Sequence, residues 1–365
     1  MRRQTVIPGE ASGFHTLWEV AYLNTSRRVF EGAPLKNLKQ LGEFNLVELI
    51  KRRITGGKKP QLPVITGPGD DTFIAETGGR IIAGTCDVLV ENVHFSRKWA
   101  TPEQIGYKCI MVNLSDLAAM GWCEPKYALI GLALTKNTPV RFVEGLYRGM
   151  QKASKKYGLI IGGGDTVSSE HDIMISVSLI GEMRVRRPIT RSGARPGDFI
   201  VVSGTFGDSA VGLKILKDNL KKNTRAAKYL LKKHFLPEPK LELGKILART
   251  GVVTSMIDSS DGLAASIRFI TQASRAGAVV NVDNIPVSMA AREIEKDGLA
   301  LVHAVLHGGE EYELVFTVKP RQAGKLVKRI PGLKIIGRIT KNKSVKYYLN
   351  GRKIDVKKAG YEHFK

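Results

Sequence analysis

The stretch TPEQIGYKCIMVNLSDLAAMG (residues 101–121), followed by YALIGLAL (127–134) and TPVRFVEGLYRGMQKASKKYG (138–158), decides the class of fold. Thr101 and Gln104 have the spacing of a capping box, in which each side chain satisfies one orphan backbone amide, and Pro102 suits the first turn. Ile105, Val112 and Leu117 then lie roughly on the inner side of the predicted helix. Residues 127–134 read as a strand. Thr138-Pro139 opens a second helix, with Phe142, Leu146, Met150 and Ala153 at helical spacing and Gly158 as its stop. Helix, strand and helix in succession predict layers of both kinds of element.

The same alternation continues outward. Residues 80–83 leading to Thr85, 173–180, 199–203 and 313–318 read as strands, and a third helix runs from about Gly262 through Leu263, Ile267 and Ile270. The pattern breaks near residues 184–196, and residues 193–198 form a turn entering a new strand, so a domain boundary is expected there. Upstream, regular structure begins at Glu43, with Leu46, Leu49 and Ile50 making a short stripe. Lys51-Arg52-Arg53 and the basic loop Gly56-Gly57-Lys58-Lys59-Pro60 are expected to end that helix. Residues 1–40 show no clear period and read as an N-terminal extension.

A chain of 365 residues allows one to three domains at ~150 residues each. Hydrophobic residues at 43% and charged residues at 25% exclude pervasive disorder. Three cysteines without a CxxC pair exclude a disulfide scaffold and a cysteine zinc site, and suggest a reducing, cytoplasmic setting. No apolar run is long enough to span a membrane as a helix. The 57 Lys and Arg against 34 Asp and Glu give a net charge of +23, which suits either a polyanion partner or a solubilising surface. The basic residues gather at 217–240 and after Lys319, in short runs with no helix-turn-helix or zinc pattern, so no specific nucleic acid is expected.

The chemistry is carried by aspartates beside glycines and hydroxyl residues. Asp70 and Asp71 follow a Gly-Pro-Gly turn, Asp87 follows a strand after Thr85-Cys86, and Asp116 sits in the first helix after Asn113 and Ser115. Asp165 closes Gly162-Gly163-Gly164, and Asp258 and Asp261 bracket Ser259-Ser260. Singly, such residues are usually backbone caps or solvated charges. Together, carboxylates from separate elements can converge only if something offsets their repulsion, and magnesium shared with phosphates does so. Gly162–Gly164 and the Gly204–Ser209 run could turn backbone amides toward an anion, although neither is a P-loop and both also read as plain turns. His94 and His307 read equally well as structural histidines, and Cys86 has no assignable partner as a nucleophile.

Nine strings, in order, resemble the thiamine-monophosphate kinase family, within the superfamily of aminoimidazole ribonucleotide synthetase, selenophosphate synthetase and a hydrogenase-maturation protein. They are LGEF (41–44), GDD (69–71), TCDVLVENVHF (85–95), VNLSDLAAMG (112–121), GGDT (163–166), RSGARPGD (191–198), VSGTFGDS (202–209), DSSDGL (258–263) and GGEEYEL (308–314). The resemblance covers roughly residues 41–363. It implies a two-domain α/β fold (α+β layers) of the aminoimidazole ribonucleotide synthetase kind, whose N-terminal sheet pairs across a homodimer. The implied division is an extension at 1–40, an N-terminal α/β domain at 41–188 and a C-terminal α/β domain at 189–365 that closes over nucleotide and substrate.

The implied activity is ATP-dependent phosphorylation of thiamine monophosphate to thiamine diphosphate, with several magnesium ions. Asp70, Thr85, Cys86, Asp87, Asp116, Asp165, Asp258 and Asp261 correspond to metal positions, with Asp87, Asp116 and Asp261 closest to the chemistry. Tyr147, Gly164, Asp165, Arg191 and Ser260 correspond to nucleotide contacts, and His94, Glu310 and Tyr361 to contacts with the acceptor. Direct in-line transfer without a phosphoenzyme is expected, because a phosphomonoester with a second pKa of about 6 is already largely ionised. Departures from the pattern are Cys86 for threonine, which leaves only its backbone as a hard ligand, one extra residue in Gly121-Trp122-Cys123-Glu124-Pro125, Ser259 for an apolar residue and Glu311 for aspartate. The residues alone leave open a ligase-like relative acting on another small substrate, and an inactive or nucleic-acid-binding descendant.

Overall fold

Thr101 accepts from Gln104 N at 3.2 Å and its own amide donates to Gln104 Oε1 at 2.8 Å, so the capping box closes in both directions and starts the Pro102–Ala119 helix. The computed structural model describes residues 37–56, 63–356 and 360–364, so most of the 1–40 extension and most of the 56–60 loop lie outside the described residues. The described chain forms two units. In the smaller, His363 N donates to Glu43 Oε2 at 2.8 Å. Residues 51–361 hold both sheets. The helix runs through Lys51-Arg52-Arg53 and spans Glu43–Thr55, stopping at the expected Gly56, which has φ 59°. Lysine and arginine are good helix formers, and cations suit the C-terminal end of the dipole.

The first sheet contains β1 (Val64–Thr66), β2 (Phe73–Thr77), β3 (Arg80–Val90), β4 (Cys123–Thr135), β5 (Ile160–Ser169) and β6 (Met174–Met183), in the order β1-β2-β3-β6-β4-β5. Among the described strands of this sheet only the β4–β5 pair is parallel; the Val140–Tyr157 helix connects them, as a crossover requires. The second sheet contains β7 (Phe199–Ser203), β8 (Val253–Asp258), β9 (Gly277–Asn281), β10 (Leu314–Val318), β11 (Leu333–Thr340), β12 (Val345–Leu349) and β13 (Arg352–Ile354). Its order is β13-β12-β9-β11-β7-β10-β8. The α/β architecture expected from the sequence is present, with helices layered on both sheets.

The Pro102–Ala119 helix is buried on almost every side, not along the single inner side expected from Ile105, Val112 and Leu117. One side packs on the first sheet, while Ala118 and Ala119 join Leu247, Met256, Leu314 and Phe316 in the core of the second half. A helix that is apolar all round belongs between two layers. Each of its fully buried leucines contributes roughly 1.5–3 kcal/mol through removal from water.

This helix also crosses the Val140–Tyr157 helix at backbone contact. A Cβ on Gly149 would lie 2.0 Å from Glu103 O, and one on Gly106 would lie 1.9 Å from Leu146 O. Neither carbonyl can move without unwinding its helix. Gly149→Ala is therefore expected to cost about 3 kcal/mol of stability, read as a lower urea midpoint with unchanged slope. A midpoint within error of the parent would show that the helices can part at no cost.

Candidate active site

Alternation along β3 sorts its residues. Thr85 and Asp87 share the face turned to the Pro102–Ala119 helix, while Cys86 and Val88 share the other. Thr85 Oγ1 donates a short hydrogen bond to Asp116 Oδ2. Asp87 N donates to Asn113 Oδ1 at 3.2 Å, and Asn113 Nδ2 to Cys109 O at 3.0 Å, which locks that amide. Asp87 lies inside β3 rather than after it, because pairing with β6 runs on to Val90. Cys86 Sγ lies among Ser176 and Ser178 of β6, at 3.6 and 3.4 Å, away from the acids.

The acids themselves come from three places. Gly69, at φ 110°, makes the turn that presents Asp70 and Asp71. Asp258 is the last residue of β8, and Ser115 Oγ donates to its Oδ2 at 2.6 Å. Carboxylate oxygens of Asp71, Asp116 and Asp258 all lie within 4.8 Å of one another. Arg191 closes one side: its Nε and Nη2 donate to Asp71 Oδ1 at 3.0 and 2.5 Å, and its amide to the Asp70 carboxylate at 3.3 and 3.2 Å. The guanidinium also stacks over Phe269, 5.0 Å from the ring centroid. Asp71 Oδ2 is buried and makes no hydrogen bond in the structure.

Desolvated like charges shift these groups upward. Burial, then Asp71, pushes Asp258 to about 8. Burial, then Asp261 and Asp71, pushes Asp87 to about 6, and burial with Asp71 pushes Asp70 to about 7. Asp116 is raised well above its ordinary value by burial, Asp87 and Asp258. Burial disfavours charge on Arg191, but the contacts with Asp71 outweigh it and hold its pKa above the ordinary value. The site is a pocket of hard oxygen donors whose repulsion the protein relieves only in part.

A second group of residues lies where the 308–313 loop meets the first half. His94 Nδ1 accepts from Val90 N at 3.0 Å, which fixes the ring. Glu310 N donates to Ser260 O at 2.6 Å, and its carboxylate pairs with Lys108, with His234 Nδ1 3.4 Å away. Tyr361 is exposed, and its amide donates to Asp261 O at 3.0 Å. Ser260 is exposed beside Asp261.

Some expected residues stand elsewhere. Gly162–Gly164 form no loop; they belong to β5, where a Cβ on Gly164 would lie 1.8 Å from Ile130 O, so glycine serves close strand pairing. Asp165 is exposed on β5, outside the three-carboxylate cluster, and accepts from Thr166 N at 2.8 Å. Tyr147 lines a cleft of about 720 Å³ with Leu159, Ile160 and Ile161. Asp71, a candidate acid by sequence, was not among the metal positions implied by the resemblance, and Lys108 was not among the expected site residues. Asp71 was visible in the GDD string, and the signal for Lys108 was a lone charge inside an apolar helical run.

Residues 69–183 match the family model for AIR synthase related protein, N-terminal domain, and residues 195–350 match that for the C-terminal domain. Thiamine-monophosphate kinase of Buchnera aphidicola subsp. Schizaphis graminum is 34% identical over 329 residues, covering 88% of this chain and 99% of that protein. Thiamine monophosphate kinase from Aquifex aeolicus shares the fold at a TM-score of 0.73 and 33% identity, over 88% of this chain and all (100%) of that one. The structure of AaThiL complexed with AMPPCP and TMP matches at a TM-score of 0.79 and 33% identity, covering 91% and 100%. Two domain matches in order, and identity sustained over whole relatives, make this chain a member of the thiamine-monophosphate kinase family.

Proposed function

We propose that the site transfers the terminal phosphoryl group of ATP directly to the phosphate of thiamine monophosphate, giving thiamine diphosphate and ADP. The observation that carries this reading is the convergence of Asp71 from the Gly69 turn, Asp116 from the Pro102–Ala119 helix and Asp258 from the end of β8, with Arg191 beside them. An all-oxygen donor set with an orphaned carboxylate oxygen fits magnesium, which Asp71, Asp116 and Asp258 would hold, flanked by Asp70, Asp87 and Asp261. Bound there, magnesium would supply charge neutralisation for two polyanions. Thr85, Ser115 and Asn113 keep the carboxylates and the β3 backbone oriented. Arg191 offers a fixed guanidinium edge to phosphate oxygens. The acceptor oxygen carries no proton that must be removed, so no general base and no covalent intermediate are needed.

The remaining roles follow the same reading. The Tyr147 cleft is apolar enough to take a purine, and in this reading Gly164, Asp165 and Ser260, which do not line the cleft, meet other parts of the nucleotide. His94, Glu310 and Tyr361 take the organic part of the acceptor. Cys86 contributes to metal binding at most through its backbone. The change of sheet between β6 and β7 supports dividing the chain into domains at 41–188 and 189–365. The exposed face of the first sheet carries Val88, Tyr127 (52% exposed), Leu129 (47%), Met174 and Ile180, an apolar area that pairing with a second copy would cover.

Incubation with magnesium-ATP and a panel of phosphorylated metabolites should yield ADP and a phosphorylated product in equal amounts only with thiamine monophosphate. Preferential turnover of another metabolite would overturn the acceptor assignment. Sedimentation at micromolar concentration should report twice the chain mass, and a fully active monomer would remove the dimer from the proposal.

A further inference from the structure

Lys108 sits where a lysine is costly. It is 4% exposed, and the next three residues, Cys109, Ile110 and Met111, are wholly buried. An ammonium group persists in such surroundings only when paired and hydrogen-bonded. Its Nζ has two acceptors, the Glu310 carboxylate and His94 O, the latter at 3.1 Å. Both acceptors lie on backbone bends: Asn92 has φ 63°, Glu310 φ 63° and Tyr312 φ 54°. Non-glycine residues hold such conformations only where their surroundings fix them.

Glu310 has further neighbours. His234 Nδ1 is 3.4 Å from its second oxygen and 3.0 Å from Ser209 Oγ. Burial opposes ionisation of Glu310, but Lys108 outweighs it and holds the carboxyl below its ordinary value. His234 is itself pushed down to about 4 by burial and Lys108, so it adds no second positive charge at neutral pH. One ammonium from the first half thus joins the His94 loop to the Glu310 loop of the second.

We propose that Lys108 is the positioning residue of the acceptor site, holding His94 and Glu310 in one mutual geometry so that both meet the acceptor together. This rests on the reading of His94 and Glu310 as acceptor contacts. Lys108 is too enclosed to touch the acceptor itself and acts through these two. Nucleotide binding, which depends on other residues, is independent of it.

Steady-state kinetics of the full chain with magnesium-ATP and thiamine monophosphate test this. Lys108→Met should raise KM for thiamine monophosphate at least tenfold, leave kcat within threefold and leave KM for ATP within twofold. Lys108→Arg, which keeps the charge, should recover part of that loss. Lys108→Met/Glu310→Gln removes both charges and avoids a stranded carboxylate; its KM should equal that of Glu310→Gln alone, because the two residues act as one unit. A folded Lys108→Met with KM within twofold of the parent would overturn the proposal, as would a double variant whose effects multiply. Should Lys108→Met fail to fold, the comparison of the double variant with Glu310→Gln decides. A parent enzyme that ignores thiamine monophosphate would instead remove the functional reading, so the two failures are distinct.

Discussion

Asp258→Asn is expected to lower turnover by at least ~10³-fold, about 4 kcal/mol of transition-state stabilisation, while raising the melting temperature of the metal-free protein. The two effects share one cause. Asp258 is held against Asp71 and Asp116 within 4.8 Å, and burial leaves that repulsion poorly screened. An amide keeps the acceptor for Ser115 Oγ and removes the charge, so the empty site relaxes as cation binding is lost. Asp71→Asn should be equally inactive but should melt lower, because it weakens the pairing of buried Arg191. Thermal melts in chelator and turnover in magnesium check both. A folded Asp258→Asn with near-parental turnover, or two variants whose melting temperatures move together, would remove the cluster from the reaction.

The second large effect is a reversal of pH dependence by the cation. Asp70 is raised to about 7 and Asp258 to about 8 from an ordinary 3.8. A carboxyl whose folded pKa is raised binds its proton more tightly when folded. Its contribution is present at low pH and lost as pH climbs from the unfolded value through the folded one. His234, lowered to about 4, works in the opposite direction, but its effect is complete by about pH 6.5. Between about pH 6.5 and 8 the chelated protein should therefore lose melting temperature as pH rises. Excess magnesium should remove that slope, because it favours the ionised carboxylates. Parallel melting curves with and without magnesium across this range would contradict the idea that these acids are the cation's ligands.

Helix caps and glycine stops, whose cause is local, were read correctly. Thr101 and Gln104 cap their helix reciprocally, and Gly158, at φ 67°, ends the next. The errors arose where distant chain decided the outcome. Asp87 looks like a residue beyond a strand until β6 pairs alongside and extends β3 past it. Three consecutive glycines suggest an anion loop, yet in β5 they allow close approach to β4. Asp70 and Asp71 are indistinguishable as letters; the turn at Gly69 and the reach of Arg191, 120 positions away, make Asp71 the member of the cluster. Lys108 on a helix reads as a solvent-facing charge until the second half covers it. The strings that carry the proposed acceptor and metal residues were legible, whereas the pairings between halves were not.

The acid cluster draws Asp71 and Asp116 from the first sheet's side and Asp258 from the end of β8 in the second. On the proposed reading, the donor set for a cation is complete only after both halves have been made. A nascent chain that has completed the first sheet still offers a cation only two of the three carboxylates, with Arg191 not yet docked from the far side. On that reading, full grip on the ion would begin only when β8 has emerged and the layers have met. The cation would then reward the union of the halves rather than template either one alone.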